Sequence, residues 1–414
     1  MVGAGGREHT IAWKLAQSPD ITQIYCIPGN GGTVGVPKCV NVSLTLDDYV
    51  GIVRLAEVQG VGLVVIGPEM PLAGGLSDLL HKAGIPVFGP TQMGAQIESS
   101  KAWAKELMRS KGIPTAEFVV FRDSSSAKDY VSSRSTPIVI KADGLASGKG
   151  VTVAETIPEA WQAIEQVFLQ HQQVVIEEFL AGRELSVLAV TDGYTIRPLL
   201  PACDRKRIGE GDTGANTGGM GAYSPSAWVT PELMAKIQTT ILEPTLEALR
   251  DRGIIYRGCL YAGLMITPTG EPKVIEFNCR FGDPETQVIL PLLKTPLEQI
   301  LVACVEGRLQ QLPPIEWYDQ SAVCVILASR GYPDKPETGH MISGIGKAES
   351  LGAVVFHSGT RLRNNQLITS GGRVLGVTAL GNDLASAQRL AYEAVAQIQF
   401  DGAYFRRDIV PLSL

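Results

Sequence analysis

Residues 274–287 read Val-Ile-Glu-Phe-Asn-Cys-Arg-Phe-Gly-Asp-Pro-Glu-Thr-Gln, and no other stretch of the chain indicates as much about its fold and chemistry. The first half alternates apolar and polar residues as a half-buried strand does, so Glu276, Asn278 and Arg280 leave the same face. A carboxylate and an amide oxygen on one face form half of a hard-cation site. A guanidinium beside that cation suits a phosphate-bearing transition state. The pattern therefore predicts a metal and phosphate site, although a half-buried strand with polar residues facing solvent explains Glu-x-Asn alone equally well.

The composition is that of an ordinary globular protein. Of 414 residues, 45% are hydrophobic and 19% are charged, which suits about two to four domains. The net charge of −6 gives no support to nucleic-acid or membrane binding. The longest apolar runs, such as Leu63–Ile66 and Ala322–Ala328, are too short to span a bilayer, and no secretion signal is evident. The seven cysteines are scattered, with no Cys-x-x-Cys, so we expect reduced thiols in a cytoplasmic protein.

The chain divides into three predicted units, which together make an α/β and α+β multidomain protein. Residues 1–98 alternate short apolar strands with helices, and the strands end in Gly/Pro loops, which indicates a parallel α/β sheet. Residues 99–319 follow a larger α+β pattern, with a mobile small subdomain at about 117–184. Residues 320–414 predict a small α+β unit that closes with an amphipathic helix at 384–399.

Three local features of the chain carry specific predictions. Ser99 is expected to cap a helix at Lys101–Lys111. A long helix at Pro231–Arg252 contains Pro244 and is expected to kink there. Only Met1-Val2 precede the first glycine, whereas a buried parallel strand usually has about 4–8 apolar residues. Either the first strand is short or the true start lies upstream.

Two further segments are compatible with nucleotide binding. Residues 141–150 read Lys-Ala-Asp-Gly-Leu-Ala-Ser-Gly-Lys-Gly, and such small residues let backbone N–H groups approach phosphate oxygens. The segment is not a Walker A loop, and a Gly-rich hairpin with solvated lysines explains it equally well. Val174–Glu184 is an apolar strand that ends in a short acidic linker. Backbone groups there could read an adenine edge, although a strand followed by an acidic turn is the simpler interpretation of this segment alone.

The order of these segments resembles the ATP-grasp superfamily. A helix lysine, a Lys/Gly loop, an acidic linker and a metal strand follow one another along the chain. In that superfamily two α+β subdomains hold ATP between them, and a carboxylate is activated as an acyl phosphate. The resemblance implies ATP binding by Lys101, Lys141, Gly148, Lys149, Glu177, Glu178, Leu180 and Glu184, with Glu184 on the ribose. It implies Mg²⁺ or Mn²⁺ binding by Glu276 and Asn278. The preceding strand, Leu260–Ile266, lacks the third acidic ligand that many members carry.

The N-terminal loop, Gly3–His9, at first resembles a dinucleotide-binding fingerprint. Glu8 stands where the third glycine belongs, and the second strand ends in Pro28-Gly29-Asn30 rather than in an acid for the ribose. Both departures argue against a nicotinamide cofactor. Glycines and an arginine at a helix N-terminus still suit a phosphate monoester.

Five segments match one family closely. They are Gly-Gly-Arg-Glu-His at 5–9, Pro-Gly-Asn at 28–30, Gly-Pro-Glu at 67–69, Asn-Thr-Gly-Gly-Met-Gly at 216–221 and Arg-Phe-Gly-Asp-Pro-Glu-Thr-Gln at 280–287. On these segments the chain resembles the phosphoribosylamine–glycine ligases, also called glycinamide ribonucleotide synthetases, over essentially its whole length. That family joins glycine to 5-phosphoribosylamine through a glycyl phosphate and splits ATP to ADP and phosphate. The resemblance implies an N-terminal parallel α/β (pre-ATP-grasp) domain, a two-subdomain ATP-grasp core and a small C-terminal α+β domain.

The resemblance also implies roles for individual residues. Lys141 would neutralise the transferring phosphoryl group, Arg280 would stabilise the carboxylate and then the oxyanion, and Asp283 could hold the ammonium group of glycine. The implied substrate-binding residues are Gly5, Gly6, Arg7, Asn30, Glu69, Asp204, Lys206, Asn216, Gly218, Gly219, Arg280 and Asp283. The implied partners are small molecules, glycine and 5-phosphoribosylamine, and not nucleic acid or a membrane. We expect a monomer, and a transient contact with the enzyme that supplies phosphoribosylamine is left open.

Two departures from the family pattern lie close together. The family usually has Gln-Asp-His-Lys-Arg where this chain has Cys203-Asp-Arg-Lys-Arg207, and it usually has Pro where Ala215 stands. The extra cation at Arg205 and the looser backbone at Ala215 leave the geometry of this loop open, but not the reaction class.

Two other functions compete with this one. A biotin-carboxylase-like or related purine carboxylating enzyme would share the three-part layout and would use bicarbonate instead of glycine, but the octapeptide at 280–287 argues against it. A non-catalytic nucleotide-binding protein would be favoured by loss of Lys141, Glu276 or Asn278, and all three are present.

Overall fold

The structure is a computed structural model that describes residues 1–145 and 150–411. Two residues predicted to bind ATP, Gly148 and Lys149, therefore lie outside the described residues. Within the described ranges, no helix is long and apolar enough to cross a membrane. All seven cysteines are free thiols, as the sequence predicts.

The described chain contains 22 strands and 14 α-helices. The strands are β1 Val2–Gly3, β2 Ile24–Pro28, β3 Cys39–Asn41, β4 Val64–Val65, β5 Val87–Phe88, β6 Phe118–Phe121, β7 Ile138–Ala142, β8 Val151–Ala154, β9 Val174–Glu178, β10 Arg183–Thr191, β11 Ile196–Pro198, β12 Cys203–Asp204, β13 Arg207–Gly209, β14 Thr213–Asn216, β15 Gly221–Ser224, β16 Gly258–Ile266, β17 Pro272–Asn278, β18 Ser321–Ala328, β19 Val354–His357, β20 Thr360–Arg363, β21 Gln366–Thr369 and β22 Arg373–Gly381. The helices are α1 Gly6–Ala16, α2 Tyr49–Val58, α3 Glu69–Ala73, α4 Leu76–Lys82, α5 Gln92–Ser99, α6 Lys101–Ser110, α7 Ser124–Ser132, α8 Ile157–Phe168, α9 Pro231–Ile237, α10 Glu243–Asp251, α11 Thr286–Leu292, α12 Leu297–Val305, α13 Ile345–Ser350 and α14 Leu384–Val395.

The first part of the chain forms parallel sheets, as predicted. Strands β1, β2 and β3 pair in parallel, and so do β4 and β5. The first strand has only two residues, and it gains a second neighbour because Val2 also forms a parallel bridge to Ile66. The carboxyl ends of these strands carry the glycine loops, which is the edge at which open α/β sheets bind ligands.

Two antiparallel sheets follow, in the place where the resemblance implies two subdomains. The smaller has the order β6-β9-β7-β8 and is covered by α7 and α8, which bury its apolar face in a core of their own. The larger has the order β11-β10-β16-β17. Strands β16 and β17 form a hairpin, and β17 carries Glu276 and Asn278 near its end.

A third sheet, β12-β15-β18-β22-β19, takes strands from both sides of residue 319. Strand β15 pairs with β18, and the buried face of β18 and β22 packs against α14. The last part of the chain therefore shares a sheet with the segment that carries Asp204. The domain boundaries near residues 98 and 319 stay predictions.

Three local predictions need correction. Ser100, not Ser99, caps helix α6 by accepting from Trp103 N at 3.1 Å, because helix α5 continues to Ser99 and only Ser100 has extended dihedral angles. The irregularity near Pro244 is a π-helical turn at Gln238–Leu242, just ahead of the proline. The last helix, α14, ends at Val395 rather than at residue 399.

Candidate active site

A cleft of about 1030 Å³ brings together most of the residues that the sequence predicts to be functional. Its walls come from both antiparallel sheets, the N-terminal unit and the segment after β11. The predicted residues that line it are Arg7, Glu69, Lys101, Lys141, Glu177, Glu178, Leu180, Glu184, Asp204, Lys206, Asn216, Gly218, Glu276, Asn278, Arg280 and Asp283. Residues more than 270 positions apart in the chain therefore share one space.

Strand β17 presents Glu276 and Asn278 to the cleft, as the alternation predicts. Burial alone would raise the pKa of Glu276, but the charges of Lys206 and Lys141 help to hold it below its ordinary value. The carboxylate is therefore charged at neutral pH, which suits a hard-cation ligand. Asn278 supplies an amide oxygen on the same strand face.

Strand β16 carries no acidic side chain, so a third metal ligand would have to come from another segment. Among the described residues, no group of three or more His, Cys, Asp or Glu side chains is arranged to hold a metal ion. Acids from other segments do approach: Glu184 and Asp204 lie close enough to Lys206 to raise its pKa, and Glu276 lies close enough to Asp204 to raise the pKa of that carboxyl. Burial raises the pKa of Asp204 to about 7, and neighbouring carboxylates add to the effect against the opposing charge of Lys206. The described residues thus fit a cation that has Glu276 and Asn278 as its protein ligands. Phosphate, water or another segment would complete its coordination.

Two lysines converge on Glu177 at the floor of the cleft. The Nζ atoms of Lys141 and Lys105 lie 2.9 and 3.0 Å from Glu177 Oε2. Lys141 also donates to Ile275 O at 3.0 Å, so two of its three N–H groups are engaged. Lys105 was missed by the sequence interpretation, although it lies four residues after Lys101 on α6 and so on the same helix face.

The second oxygen of Glu177, Oε1, is buried and has no hydrogen-bond partner among the described residues. A buried acceptor without a donor is costly, so this oxygen is available to a ligand. Around it, Glu178 is paired with Lys273 at 2.9 Å, and Glu184 with Lys206 at 3.1 Å. Lys101 donates to Gly144 O at 2.8 Å, which holds the start of the Lys/Gly loop against α6.

Arg280 is held by two carboxylates from the N-terminal part of the chain. Its Nε lies 3.0 Å from Glu69 Oε2 and its Nη2 lies 2.9 Å from Glu98 Oε1. Glu98 was not predicted; it also accepts from Cys279 N at 2.8 Å. Burial raises the pKa of Glu98, whereas Arg280 and Arg7 hold the pKa of Glu69 below its ordinary value despite burial. The guanidinium is thereby fixed in one orientation at the cleft wall.

Asp283 lies where the cleft meets a smaller cavity. Gln287 Nε2 donates to Asp283 Oδ1 at 2.7 Å, and Arg373 Nη1 lies 3.4 Å from the same oxygen. Arg373 also donates to Asp283 O at 2.8 Å and to Gly218 O. Arg373 was missed because no motif links it to residues about 90 and 155 positions away. It joins the C-terminal sheet to two predicted substrate loops.

The smaller cavity has a volume of about 490 Å³, and its lining includes Gly5, Asn30, Asp283 and Arg373. Asp283 and Arg373 line both cavities. Asn30 was predicted to bind substrate, but its side chain is committed to backbone groups: Nδ2 donates to Ala4 O and His357 O at 2.9 and 2.8 Å. It therefore fixes the loops around this cavity rather than offering a free amide.

Two of the predicted glycines line neither of these two cavities. A Cβ on Gly6 would lie 2.6 Å from atoms of Gln287 and Ser358, and one on Gly219 would lie 2.4 Å from Pro284. Gly219 also has φ +107°, which disfavours other residues. Both positions thus need glycine for close packing beneath the site.

A buried histidine pair joins helix α1 to the end of strand β19. His357 N donates to His9 Nδ1 at 2.8 Å, and the two rings lie 5.4 Å apart. Burial lowers the pKa of His9 to about 3 and that of His357 to about 4. Both imidazoles are neutral in the folded protein at physiological pH.

We expect acid to destabilise the protein through these histidines. The unfolded chain binds protons at both below about pH 6.5, whereas the folded protein does not until about pH 4, so stability falls as pH drops through this window. At about pH 5 the loss amounts to roughly 2 kcal/mol for each histidine. Urea unfolding at about pH 7.5 and about pH 5 measures it, and His357→Gln should shrink the difference. An equal difference in both proteins would contradict this account.

Three family models match the chain. Residues 1–98 match the phosphoribosylglycinamide synthetase N domain, residues 99–286 its ATP-grasp (A) domain and residues 322–410 its C domain. The chain belongs to the phosphoribosylglycinamide synthetase family. The ATP-grasp core predicted from the order of the motifs is confirmed, and with it the use of ATP.

Individual members of the phosphoribosylglycinamide synthetase family are similar over the whole chain. A phosphoribosylamine–glycine ligase from Nostoc sp. is 58% identical over 99% of this chain and 98% of its own length, and one from Synechocystis sp. is 54% identical over the same shares. The crystal structure of a Thermotoga maritima phosphoribosylamine–glycine ligase superposes with a TM-score of 0.85 at 34% identity, covering 99% of both chains. A biotin carboxylase domain from Hydrogenobacter thermophilus, in complex with MgADP, superposes with a TM-score of 0.75 at 16% identity over 98% of this chain and 91% of its own, so it shares the fold alone.

The segment that departs from the usual phosphoribosylglycinamide synthetase pattern is held by contacts within the described chain. Arg205 Nε donates to Ile409 O at 3.0 Å, and Arg205 Nη1 pairs with Asp212 Oδ2 at 2.9 Å. Ala215 lies within strand β14, which pairs with β13. The extra cation at Arg205 therefore has partners of its own, and Lys206 still faces the cleft.

Proposed function

We propose that the protein is an ATP-dependent ligase that joins glycine to 5-phosphoribosylamine and yields glycinamide ribonucleotide, ADP and phosphate. The observation that carries the proposal is one cleft that unites the ATP-grasp lysines, a two-ligand cation strand and Arg280, in a chain whose relatives bear this activity in their names. We further propose that it acts in the cytoplasm on small molecules, as a monomer.

The first step is the activation of glycine. Its carboxylate is a poor electrophile until a phosphoryl group is transferred to it. Glu276 and Asn278 are proposed to hold Mg²⁺ or Mn²⁺, which would neutralise charge on the transferring phosphoryl group. Among the described residues, Lys141 has partners for two of its three N–H groups, Ile275 O and Glu177, so the third is proposed to donate to a phosphate oxygen.

The nucleotide is proposed to lie along the linker between β9 and β10. Glu177 Oε1, buried and without a described partner, could accept from the exocyclic amino group of adenine. Glu178 and Leu180 flank this position in the cleft wall. Glu184 is proposed to take the ribose hydroxyls, since its carboxylate faces the cleft and shares Lys206 with the metal strand.

The second step is attack by the amine of phosphoribosylamine on glycyl phosphate. The phosphoribosyl end is proposed to enter the smaller cavity, where Gly5 lies at the N-terminus of α1, which suits a phosphate group. The amine then reaches the carbonyl carbon near Asp283 and Arg373. A C–N bond forms, the C–O bond to phosphate breaks and the amine loses a proton. Arg280, fixed by two carboxylates, is proposed to stabilise the oxyanion, which is typically worth about 3–4 kcal/mol.

Asp283 is proposed to hold the ammonium group of glycine. Its pKa lies below the ordinary value despite burial, because Arg373 and Arg7 stabilise the charged form. Asp283→Asn removes that charge, so we expect the KM for glycine to rise about tenfold or more with a smaller change in kcat. Glycine titrations measure the effect, with the exposed Asp319→Asn as control. An unchanged KM for glycine would show that the assignment is wrong.

The overall proposal is tested by ADP release in the presence of freshly formed phosphoribosylamine. We expect release to require glycine, and bicarbonate not to replace it. Release with bicarbonate but not with glycine would favour a carboxylating enzyme instead, an alternative that the biotin carboxylase fold likeness keeps relevant. No release with either would defeat the proposal.

A further inference from the structure

A buried arginine close to the end of the described chain, Arg406, forms the centre of an ion cluster beside the cleft. Its side chain is 0% exposed. Nε and Nη2 donate to the two oxygens of Asp408 at 2.8 and 2.7 Å. Nη1 donates to Asp212 Oδ1 at 2.8 Å and to Arg207 O at 2.9 Å. A buried charge needs such complete pairing, and the pairing fixes the guanidinium in one orientation.

Several contacts of this segment reach the hairpin of β13 and β14, residues 207–216, which extends from the cleft wall. Tyr404 OH donates to Ile208 O at 2.9 Å, on the first strand of the hairpin. Gly211 N donates to Asp408 Oδ2 at 2.8 Å, at the turn. The end of the described chain therefore holds the hairpin at its strand and at its turn.

Arg205 adds a second cation to the same cluster. It pairs with Asp212 Oδ2 while Arg406 takes Oδ1, so Asp212 bridges two arginines. Its Nε donates to Ile409 O, which ties the base of the hairpin to the same chain segment. Arg205 is one of the residues at which this chain departs from the usual family pattern.

The hairpin base carries Lys206, which faces the cleft. Its Nζ lies 3.1 Å from Glu184 Oε2 and 3.8 Å from Glu276 Oε1. Both sequence neighbours of Lys206 are held by the cluster, one through its guanidinium and one through its carbonyl oxygen. A shift of the hairpin would therefore move Lys206 relative to both carboxylates.

We propose that Arg406 is a positioning residue for the reaction, because it fixes the hairpin through Asp212 and Asp408 and so holds Lys206 at the nucleotide end of the cleft. Arg406 touches no substrate in this role. We call the contacts of Tyr404, Arg406 and Asp408 with the hairpin the clamp. The use of ATP kinetics as a readout rests on the proposed function, whereas the existence of the clamp does not.

The test compares Arg406→Met and Asp212→Asn with Arg389→Met as the matched control. Arg389 is an exposed arginine on helix α14. Two readouts are used: the rate of tryptic cleavage after Lys206, identified by mass, and the split between KM for ATP and kcat. We expect the first two variants to be cleaved at least about tenfold faster and to show a KM for ATP raised about tenfold, with kcat changed less than about threefold. The control should match the wild type, and Arg406→Lys should recover part of both effects.

Asp212 is about half exposed, so its variant decides the matter if Arg406→Met does not fold. Wild-type cleavage rates and an unchanged KM for ATP, in variants shown to be folded at the assay temperature, would overturn the proposal. If the wild type shows no glycine-dependent ADP release, the proposed ligase function fails. Tryptic cleavage and calorimetric binding of MgADP would then still test the clamp.

Discussion

Replacing Glu276 by glutamine is expected to lower kcat for glycine-dependent ADP release by about a hundredfold or more. Glutamine keeps the shape of the side chain but removes the charge, and charge stabilisation of this kind is typically worth about 3–4 kcal/mol in the transition state. The carboxylate is charged at neutral pH because the nearby cations, Lys206 foremost, together outweigh the effect of burial on its pKa. The loss should therefore be present across the neutral range.

Steady-state kinetics at several Mg²⁺ concentrations measure this effect. We expect the concentration of Mg²⁺ that gives half-maximal activity to rise in Glu276→Gln. The matched control is Glu271→Gln, in the turn of the same hairpin, where the carboxylate is exposed and pairs only with Lys236 among the described residues. That control should behave as the wild type. A kcat within about threefold of the wild type in Glu276→Gln would show that Glu276 does not have the proposed catalytic role.

Replacing Arg280 by lysine is expected to lower kcat by about a hundredfold to a thousandfold. Lysine keeps the positive charge, but it cannot pair with Glu69 and Glu98 at once while presenting a fixed planar donor to the reacting group. Because the lost interaction belongs to the transition state, the KM values for glycine and ATP should change much less than kcat.

The same kinetics, together with a thermal unfolding curve, test Arg280→Lys. Arg308→Lys serves as control, since that arginine is half exposed and pairs with a neighbour two residues away. A large rise in the KM for glycine at unchanged kcat would instead mean that Arg280 binds the ground state. A variant that keeps more than about a third of the activity would contradict its catalytic role altogether.

The shared face of Glu276 and Asn278 could be predicted because a strand places alternate residues on one face, and this rule needs no tertiary information. Glu276 and Asn278 accordingly face the cleft together. Lys105 was within reach of the same kind of reasoning, since it follows Lys101 by one helical turn. Ser99 was misassigned because two helices meet there, and the sequence does not show which serine has the extended conformation.

Other members of the site could not be predicted, because their partners are distant in the sequence. Glu98 meets Arg280 across more than 180 positions, and Arg373 meets Asp283 across 90. No local sequence pattern around Glu98 or Arg373 indicates which residue it will contact. Asn30 is the opposite case. A motif drew attention to this residue, but the sequence did not show that its side-chain amide donates to two backbone carbonyl groups. Residue type and spacing thus predict local faces, whereas ion pairs between units depend on the folded arrangement.

The central claim is that the carboxylate of glycine is activated by phosphorylation and then joined to phosphoribosylamine. The most direct measurement uses glycine labelled with ¹⁸O in its carboxyl group, with ATP and freshly formed phosphoribosylamine, and mass spectrometry of both products. We predict glycinamide ribonucleotide together with inorganic phosphate that carries one ¹⁸O atom from glycine. Phosphate without ¹⁸O, or ADP formed without glycinamide ribonucleotide, would contradict the account.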